Sequence, residues 1–473
     1  MGNDKIHIEF PGRIVFIGFG SIGQGTLPLV LRHIGIPKER ITIITSDDRG
    51  KKEAEEYGIK VVKVTLTRDN FRRELDPHIG RGDFVLNVSV DVSSIALVKF
   101  CWSKGAMYLD TCIEPWVGGY TDASLPAARR TNYALRENAR ALNAKHGKGP
   151  TAILTHGANP GLVSHFVKQA LLDIARDTRL HVSVPKTRNE WALLAERIGM
   201  KVVHIAERDT QYAIPQKRPG EFVNTWSVDG FVGEGSQPSE LGWGSHEKHF
   251  PHDALSYDFG PRCSIFLNRP GVSMRVRSWT PREGRYYGFL ITHGESISIA
   301  DYYTVRDARG EVRFRPTVHY AYHPCDGAVL SVHEYCGKAY QMQDRKRVLM
   351  DDIQGGMDEL GVLLMGHERG GYWFGSQLTV EEARSLAPYN NATSLQVAAG
   401  VLGAIVWACE HPREGVVDPE EMDYQRVLEV ARPYLGKLVG VYTDWTPLAD
   451  RGVLFPEDVD LSDPWQFKNF RVT

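Results

Sequence analysis

The segment Arg13–Gly23, with the sequence RIVFIGFGSIG, restricts the fold more than any other part of the chain. An apolar run ends directly in Gly18, and Gly20 and Gly23 complete a Gly-x-Gly-x-x-Gly spacing before a helical pattern begins. The first glycine permits a tight turn, the second lets backbone amides approach a pyrophosphate, and the third lets the helix pack close to the strand. This strand–turn–helix context predicts a dinucleotide-binding turn.

Apolar runs and helical patterns alternate through the first 160 residues. Runs typical of strands cover 13–17, 41–44, 60–64, 84–88, 106–109 and 151–154, and helical patterns cover 21–34, 50–57, 68–76, 92–103 and 129–145. Such alternation is typical of a parallel sheet with helices on both faces. We therefore predict an α/β fold that begins with a Rossmann-type, doubly wound parallel sheet.

The composition of the sequence changes after residue 160, where tryptophan, tyrosine and glycine become frequent. Strand-forming stretches cover 222–232, 285–293, 312–322 and 360–375, and helical patterns cover 392–409 and 418–433. These patterns predict a second α+β domain built on a largely antiparallel sheet. We expect a dinucleotide-binding domain over 1–158 and a second domain over 159–473, with the helix over 392–409 placed to pack back against the first domain.

The charge balance argues against a nucleic-acid-binding protein. The 473 residues include 56 lysines and arginines and 58 aspartates and glutamates, which gives a net charge of −2. Six scattered cysteines form no Cys-x-x-Cys pair, which argues against a zinc site or a disulfide framework and fits the cytoplasm. The first residues lack a signal-peptide pattern, and the longest apolar run, 397–409, is shorter than a membrane span of ~17–25 residues. We therefore expect no metal, no nucleic acid and no membrane as partners.

The residues that read the cofactor's ribose are expected after the second predicted strand. Thr45 ends this strand, and Asp47 and Arg49 follow it. A carboxylate at this position accepts hydrogen bonds from the ribose hydroxyls and repels a 2′-phosphate, whereas an arginine can pair with that phosphate. Asp47 therefore favours NAD, and Arg49 leaves NADP open as an alternative.

The fourth predicted strand ends in Asn87-Val-Ser89, at the edge where open α/β sheets bind ligands. Asn87 and Ser89 are therefore candidate contacts to the ribose or the nicotinamide. A polar turn that caps the next helix explains the same residue types, so the sequence leaves both interpretations open.

Five further segments place polar side chains at strand ends or in glycine-rich turns. Each has an ordinary structural interpretation, because a lone glutamate is usually a surface charge, a lone tryptophan usually belongs to the core, and a lone histidine usually has a satisfied structural role. The segments are Asp110–Trp116, His156–Gly161, His204–Asp209, Asn224–Gly235 and Thr292–Glu295.

A series of segments resembles those of bacterial homospermidine synthases, in the same order and over nearly the whole chain. The segments are GFGSIGQGTLPL, NVSVDVSS, YLDTCIEPW, GANPGLVSHFVKQAL, HIAERDTQ, NTWSVDGFVGEG, LGWG, THGESISIADY, YHPC, GVLLMGH, YWFGSQL and GVYTDWTPLA. That family resembles saccharopine dehydrogenases in fold, with a Rossmann domain, a second α+β domain and a homodimer. The resemblance implies an enzyme that uses NAD to join two putrescines, or putrescine and the aminobutyl group of spermidine, into homospermidine with release of ammonia. It also implies that the second domain binds substrate and forms the dimer.

The chemistry of that family explains the acidic and aromatic residues. A hydride is taken from the carbon beside one amine of putrescine, ammonia is lost, a second putrescine forms a Schiff base, and the hydride is returned. Because a primary amine with a pKa near ~10.4 is almost wholly protonated at neutral pH, the site must deprotonate one end of putrescine and hold the other as a cation. Carboxylates and an aromatic face both suit the cation.

The resemblance assigns expected roles to five residues. Trp226 is the expected cation-binding aromatic face, and Glu207 and Glu234 are the expected amine-binding carboxylates. His293 is the expected proton shuttle, because an ordinary histidine pKa of ~6.5 lets it cycle near neutrality. Asn159 is expected to orient the nicotinamide amide or an amine.

The remaining candidates complete the expected substrate and cofactor contacts. Further carboxylates for substrate binding are Glu114, Asp91 and Asp358. The expected cofactor contacts are Gly18, Gly20, Ser21, Ile22, Gly23, Asp47, Asn87, Ser89, Thr111, Asn159 and Pro160.

Two other functions fit parts of the sequence. A saccharopine dehydrogenase-like reductase, for example of the carboxyspermidine type, joins an amine to an aldehyde, but it needs basic residues for a substrate carboxylate, and this set is acidic apart from Arg208. A non-catalytic NAD sensor would bind the cofactor without releasing ammonia from putrescine. The sequence leaves open the range of amine substrates, the roles of individual carboxylates and whether the site is completed across the dimer interface.

Overall fold

The computed structural model describes residues 5–472, and the first of its two large sheets contains the dinucleotide-binding turn. Within the described residues this sheet has seven strands, all parallel, in the order Val416–Val417, Ala152–Ile153, Met107–Asp110, Phe84–Asn87, Ile14–Ile17, Ile41–Thr45 and Lys60–Lys63. The predicted Rossmann-type sheet is confirmed. The strand order reverses at Ile14–Ile17, which opens a crevice at the carboxyl ends of the strands.

Helices cover this sheet where the sequence predicts them. They are Ser21–His33, Lys51–Tyr57, Phe71–Leu75, Ser94–Lys104 and Asn132–His146. The later helix Ala392–Glu410 packs against Ser21–His33. By length and composition Ala392–Glu410 is apolar enough to cross a membrane, but 89% of its apolar window is buried inside the protein, as expected for a core helix.

The second large sheet is mixed and mostly antiparallel, which confirms the prediction of an α+β part. Its central strands, in spatial order, are Ala254–Ser256, Ser264–Pro270, Pro238–Gly242, Thr317–His323, Val202–Asp209, Met357–His367, Gly370–Thr379 and Lys437–Thr443. Strands Arg275–Thr280, Gly284–Phe289 and Arg471–Val472 attach to one side. Only Thr317–His323 and Val202–Asp209 run parallel to each other among the described strands of this sheet.

Smaller elements complete the described chain. The remaining helices are Leu162–Asp177, Arg188–Ile198, Val228–Ser236, Gly294–Tyr302, Asp326–Gly337, Val380–Leu386, Tyr424–Ala431 and Phe467–Phe470, with short 3-10 turns at Lys38–Arg40, Ala127–Arg129, Gly271–Ser273, Pro419–Glu421 and Arg432–Tyr434. Short strand pairs are Ile8–Glu9 with Ile34–Gly35, Tyr212–Ala213 with Ile353–Gly355, Glu221–Asn224 with Arg345–Val348, and Val305–Arg306 with Val312–Phe314.

One predicted strand region is part strand and part helix. The stretch 222–232 was expected to be strand, but only Glu221–Asn224 is extended and helix Val228–Ser236 follows it. The side chain of Ser227 accepts a hydrogen bond from the backbone N–H of Gly230 and so caps this helix. This cap marks a helix start where the apolar pattern alone favoured a strand.

A buried carboxylate joins the two helices that begin at predicted site residues. Helix Leu162–Asp177 starts just after Pro160, and helix Gly294–Tyr302 starts just after His293. Oε1 of Glu420 accepts hydrogen bonds from Ser164 Oγ at 2.6 Å and from Ser298 Oγ at 2.9 Å, one hydroxyl on each helix. Glu420 thereby fixes the relative position of the two helix starts.

Candidate active site

The glycine turn, residues 18–23, has the backbone that its sequence predicts. Gly18 has φ +85°, and a Cβ on it would lie 2.8 Å from Cα of Ser89. A Cβ on Gly20 would meet nothing within 4 Å, so the space above this residue is open. A Cβ on Gly23 would approach the ring of Phe19 to 3.0 Å, which explains the close packing of helix on strand. Gly20 also precedes the helix that starts at Ser21, and no side chain of the described residues caps this helix start.

A cleft of about 580 Å³ runs from the glycine turn to the second domain. It brings together most of the residues that the sequence predicts for the cofactor and several of those predicted for the substrate. Those that line it are Gly18, Gly20, Ser21, Ile22, Asp47, Ser89, Asp91, Thr111, Glu114, Trp226 and Glu234.

The other predicted residues lie behind this cleft or deeper in the protein. The buried Asn87 supports the Ser89 turn, because its Oδ1 accepts hydrogen bonds from the backbone N–H and the Oγ of Ser89, at 3.3 Å and 2.6 Å. The residues outside the cleft lining are Gly23, Asn87, Asn159, Pro160, Glu207, His293 and Asp358.

Asp47 and Arg49 form an ion pair at the expected ribose position. Nη2 of Arg49 lies 2.6 Å from Oδ2 of Asp47, and the backbone N–H of Arg49 donates to Oδ1 at 2.9 Å. The Arg49 side chain thereby lowers the pKa of Asp47. Both side chains line the cleft. Arg49, which in the sequence kept NADP as an alternative cofactor, is therefore paired with Asp47, whose carboxylate favours NAD.

Asp91, Glu114 and Glu234, here called the outer carboxylates, line the cleft beyond the glycine turn. Burial, together with the charges of Glu234 and Asp91, raises the pKa of Glu114 to about 8. Burial and the charge of Asp229 likewise raise the pKa of Asp91. Carboxyl groups that repel one another in this way favour a cationic ligand, which offsets their repulsion.

Glu207, Asp209 and Asp358, here called the inner carboxylates, lie on one face of the second sheet. Asp358 stands opposite Asp209 across the antiparallel strand pair, and Glu207 is two positions from Asp209 on the same strand. Thr393 Oγ1 donates to Oδ2 of Asp358 at 2.5 Å, while Oδ1 is buried with no hydrogen-bond partner among residues 5–472. Burial and the charges of Glu207 and Asp209 raise the pKa of Asp358 well above its ordinary value.

Asn159 and Tyr320 hold the carboxylate of Glu207. Nδ2 of Asn159 lies 2.5 Å from Oε2 of Glu207, and the Tyr320 hydroxyl donates to the same oxygen. Burial raises the pKa of Glu207 to about 7, although these two hydrogen bonds oppose the rise. Glu207 can therefore take up or release a proton near neutral pH.

Trp226 presents a half-buried ring to the cleft and is held from behind. Its Nε1 donates a hydrogen bond to the hydroxyl of Tyr322 at 3.0 Å. Tyr322 stacks on Tyr320, with ring centroids 5.0 Å apart and an interplanar angle of 8°. The aromatic face predicted from the sequence is thus connected, through these two tyrosines, to Glu207.

The ring of His293 bridges two glutamates. Nε2 lies 3.0 Å from Oε2 of Glu234, and Nδ1 lies 3.1 Å from Oε1 of Glu295. On the far side of Glu234, the thiol of Cys112 lies 3.5 Å from Oε1. His293 therefore connects an outer carboxylate of the cleft to a glutamate in the protein interior.

Sequence reasoning missed five residues that complete this site: Cys112, Asp209, Glu295, Tyr320 and Tyr322. The two tyrosines had a usable signal, because Tyr320-Ala-Tyr322 places both rings on one face of a strand. Cys112 and Glu295 lie within the segments Asp110–Trp116 and Thr292–Glu295, but a lone thiol and a lone glutamate carry no signal of their own.

Comparison with known proteins agrees with this arrangement. Residues 14–153 match the saccharopine dehydrogenase NADP binding domain, and residues 157–443 match the saccharopine dehydrogenase C-terminal domain. The homospermidine synthase of Blastochloris viridis is 51% identical over 99% of this chain and 98% of its own length. That of Mesorhizobium japonicum is 50% identical over the same shares of the two chains.

A solved structure is similar over its full length. The crystal structure of the homospermidine synthase of Legionella pneumophila in complex with NAD superposes with a TM-score of 0.93, at 49% sequence identity, over 100% of both chains. Two full-length relatives and this solved structure are thus close to 50% identical to the chain over nearly its whole length. The chain therefore belongs to the homospermidine synthase family, within the saccharopine dehydrogenase-like proteins.

Proposed function

We propose that this chain is an NAD-dependent homospermidine synthase, which joins two putrescines into homospermidine and releases ammonia. The observation that carries the proposal is the cleft in which the glycine turn meets Glu114, Glu234 and Trp226. A dinucleotide and a cationic amine can share such a cleft. The names of the full-length relatives support the same activity.

The residues of the first domain fit a bound NAD. The open space above Gly20 and the uncapped amides at Ser21 suit a pyrophosphate, and Asp47 suits the adenine-side ribose. Ser89 and Thr111 line the same cleft further along. When bound, NAD supplies the hydride chemistry: it accepts a hydride from the carbon beside a substrate amine and later returns it.

The outer carboxylates and Trp226 are suited to hold an ammonium group of putrescine. A cation beside Glu114 offsets the repulsion that raises the pKa of this residue, and so favours its ionised form. The Trp226 ring offers a second surface for the cation that does not titrate. Cation–π contact of this kind contributes up to about 2 kcal/mol when it is desolvated.

Glu207 is suited to remove the proton from the reacting amine. Its pKa of about 7 lies near the working pH, where a general base is most effective. Asn159 and Tyr320 both bond to Oε2, which fixes the carboxylate without adding charge. The loss of ammonia and the formation of the Schiff base with the second putrescine then take place beside the same group.

The test is to incubate the purified protein with NAD⁺ and putrescine, identify product amines by mass spectrometry and count ammonia. We expect one ammonia for each homospermidine and no net NADH. Glu207→Gln is expected to abolish turnover, whereas Glu247→Gln, which alters a buried glutamate bonded to Thr317 and Phe467, serves as the matched control. NADH that accumulates without a coupled amine would indicate an amine dehydrogenase and contradict the proposal.

We further propose that residues 1–158 form the cofactor domain and 159–473 the substrate and dimerisation domain of a cytoplasmic homodimer. The exposed apolar side chains of Val453, Leu454 and Phe455, each more than three-quarters exposed, support contact with another chain. The net charge of −2 supports the absence of nucleic-acid binding. Light scattering on the purified protein tests the dimer, and spermidine in place of one putrescine tests the second aminobutyl donor.

A further inference from the structure

Glu295 lies directly behind His293, on the side away from the cleft. Helix Gly294–Tyr302 begins immediately after His293, and Glu295 stands in its first turn with a side chain that is 0% exposed. Its Oε1 lies 3.1 Å from Nδ1 of His293, and Oε2 of Glu234 lies 3.0 Å from Nε2. Both ring nitrogens thus face a carboxylate oxygen at hydrogen-bond distance.

With Glu234 and Glu295 both ionised, this geometry calls for two N–H groups on the ring. A neutral imidazole carries one N–H, so one of its nitrogens would direct a lone pair at a carboxylate oxygen about 3 Å away. The doubly protonated ring instead donates to both carboxylates. Oε2 of Glu295 is buried and has no hydrogen-bond partner among the described residues, so a positive charge beside this carboxylate compensates its burial.

The other groups around the ring do not reverse this preference. Tyr320, on the strand Thr317–His323, packs against the His293 ring with centroids 4.2 Å apart, and its hydroxyl bonds to the inner carboxylate Glu207. Beyond Glu234 lies the thiol of Cys112, whose pKa is raised by burial and by the neighbouring carboxylates, so it remains neutral. Burial of His293 opposes its protonation, but the charges of Glu295 and Glu234 outweigh this and raise the pKa of the imidazole to about 10.

We propose that Glu295 is a positioning residue that holds His293 as a doubly protonated cation over the working pH range. His293 then acts as a fixed donor and a fixed positive charge, in place of the proton shuttle expected from the sequence. This role rests on the proposed function, because it is the amine chemistry that gives the charge its use. The cation pairs with Glu234 and so limits the repulsion among the outer carboxylates, while Asp91 and Glu114 still line the cleft for the ammonium group of putrescine.

The direct test is a histidine NMR titration of the protein labelled with ¹³C and ¹⁵N at its histidine rings. The signal of His293 is assigned by its loss in His293→Gln. We expect His293 to stay protonated from pH 6 to pH 8.5 in the unaltered protein. We expect Glu295→Gln to lower its titration midpoint by at least one pH unit and Glu295→Asp, which keeps the charge, to restore much of it. Glu247→Gln, whose side chain is also 0% exposed, is the control for loss of a buried carboxylate.

The same variants give a second readout in the pH dependence of kcat. Glu295→Gln is expected to lose more activity at pH 8 than at pH 6, and Glu295→Asp is expected to recover it. A midpoint for His293 near 6.5 in the unaltered protein, or an unchanged midpoint in Glu295→Gln, would overturn the proposal. Because the titration needs no turnover, a protein that fails to act on putrescine but gives the expected titration would contradict the proposed function alone.

Discussion

Replacing Glu114 with glutamine should make the protein more stable at alkaline pH. Burial and the charges of Glu234 and Asp91 raise the pKa of Glu114 from 4.5 to about 8, and only 3% of the residue is exposed. A carboxyl whose pKa is raised on folding contributes stability that is complete below its unfolded pKa and is lost as the pH rises through the folded pKa. The unaltered protein therefore loses stability between about pH 4.5 and pH 8 at this residue, whereas the amide of Glu114→Gln does not titrate.

The size of the effect follows from the difference in pKa. At about 1.4 kcal/mol for each pH unit, the difference corresponds to at most about 5 kcal/mol at pH 9. Since about 1 kcal/mol changes the Tm of a 150–250-residue unit by roughly 2–4 °C, even a fifth of this bound is measurable.

The assay is differential scanning fluorimetry of the unliganded protein from pH 5 to pH 9. We expect the Tm of Glu114→Gln to equal that of the unaltered protein near pH 5 and to exceed it by at least 2 °C at pH 9, at the low end of roughly 2–4 °C for each kcal/mol. Glu39→Gln, at an exposed glutamate of the same domain, should show no such pH dependence. A Tm difference for Glu114→Gln that stays constant over this range would refute the electrostatic account of the outer carboxylates.

Three further predictions concern the cofactor and the aromatic face. Gly20→Val should leave the Tm within about 2 °C, as for surface changes. It should weaken NAD binding more than tenfold in a fluorescence titration, because the new side chain fills only the space of the ligand. Gly18→Ala, whose Cβ would lie 2.8 Å from Ser89, should instead lower the Tm. Equal effects of the two changes on Tm would contradict the assigned roles. Trp226→Leu should raise the KM for putrescine by roughly 30-fold, the equivalent of about 2 kcal/mol, while Trp226→Phe, which keeps a ring, should change it much less; an unchanged KM in Trp226→Leu would exclude the cation–π contact. Asp47→Asn should reduce the preference for NAD over NADP by about tenfold in paired Kd measurements, since it removes a charge that repels a 2′-phosphate and frees Arg49. An unchanged ratio of the two Kd values would place the ribose elsewhere.

The first sheet was predictable because its signals are local. Each strand is a short apolar run, each helix follows at once, and the glycines 18, 20 and 23 determine where the cofactor turn forms. The strand Val416–Val417 was not predictable in the same way, because it joins this sheet from within the second domain's part of the chain and consists of only two residues.

The inner part of the site depends on strand register, which the sequence does not display. Tyr322 lies opposite Glu207 because Thr317–His323 runs parallel to Val202–Asp209, and Asp358 lies opposite Asp209 because Met357–His367 runs antiparallel to the same strand. A shift of one residue would turn these side chains to the other face of the sheet. The pairing of Glu295 with His293 likewise depends on where a short helix begins, and helix boundaries are poorly determined by periodicity.

The most direct test of the redox-neutral reaction uses putrescine deuterated at both carbons that carry the amines, four deuteriums in each molecule. The purified protein is supplied with NAD⁺ and an excess of unlabelled NADH, and the mass of the homospermidine formed is measured by mass spectrometry. If the hydride removed from one putrescine is returned to the same carbon within one bound cofactor, the product retains all eight deuteriums. A product with seven deuteriums would show that the hydride came from the free NADH, and this result would contradict the account.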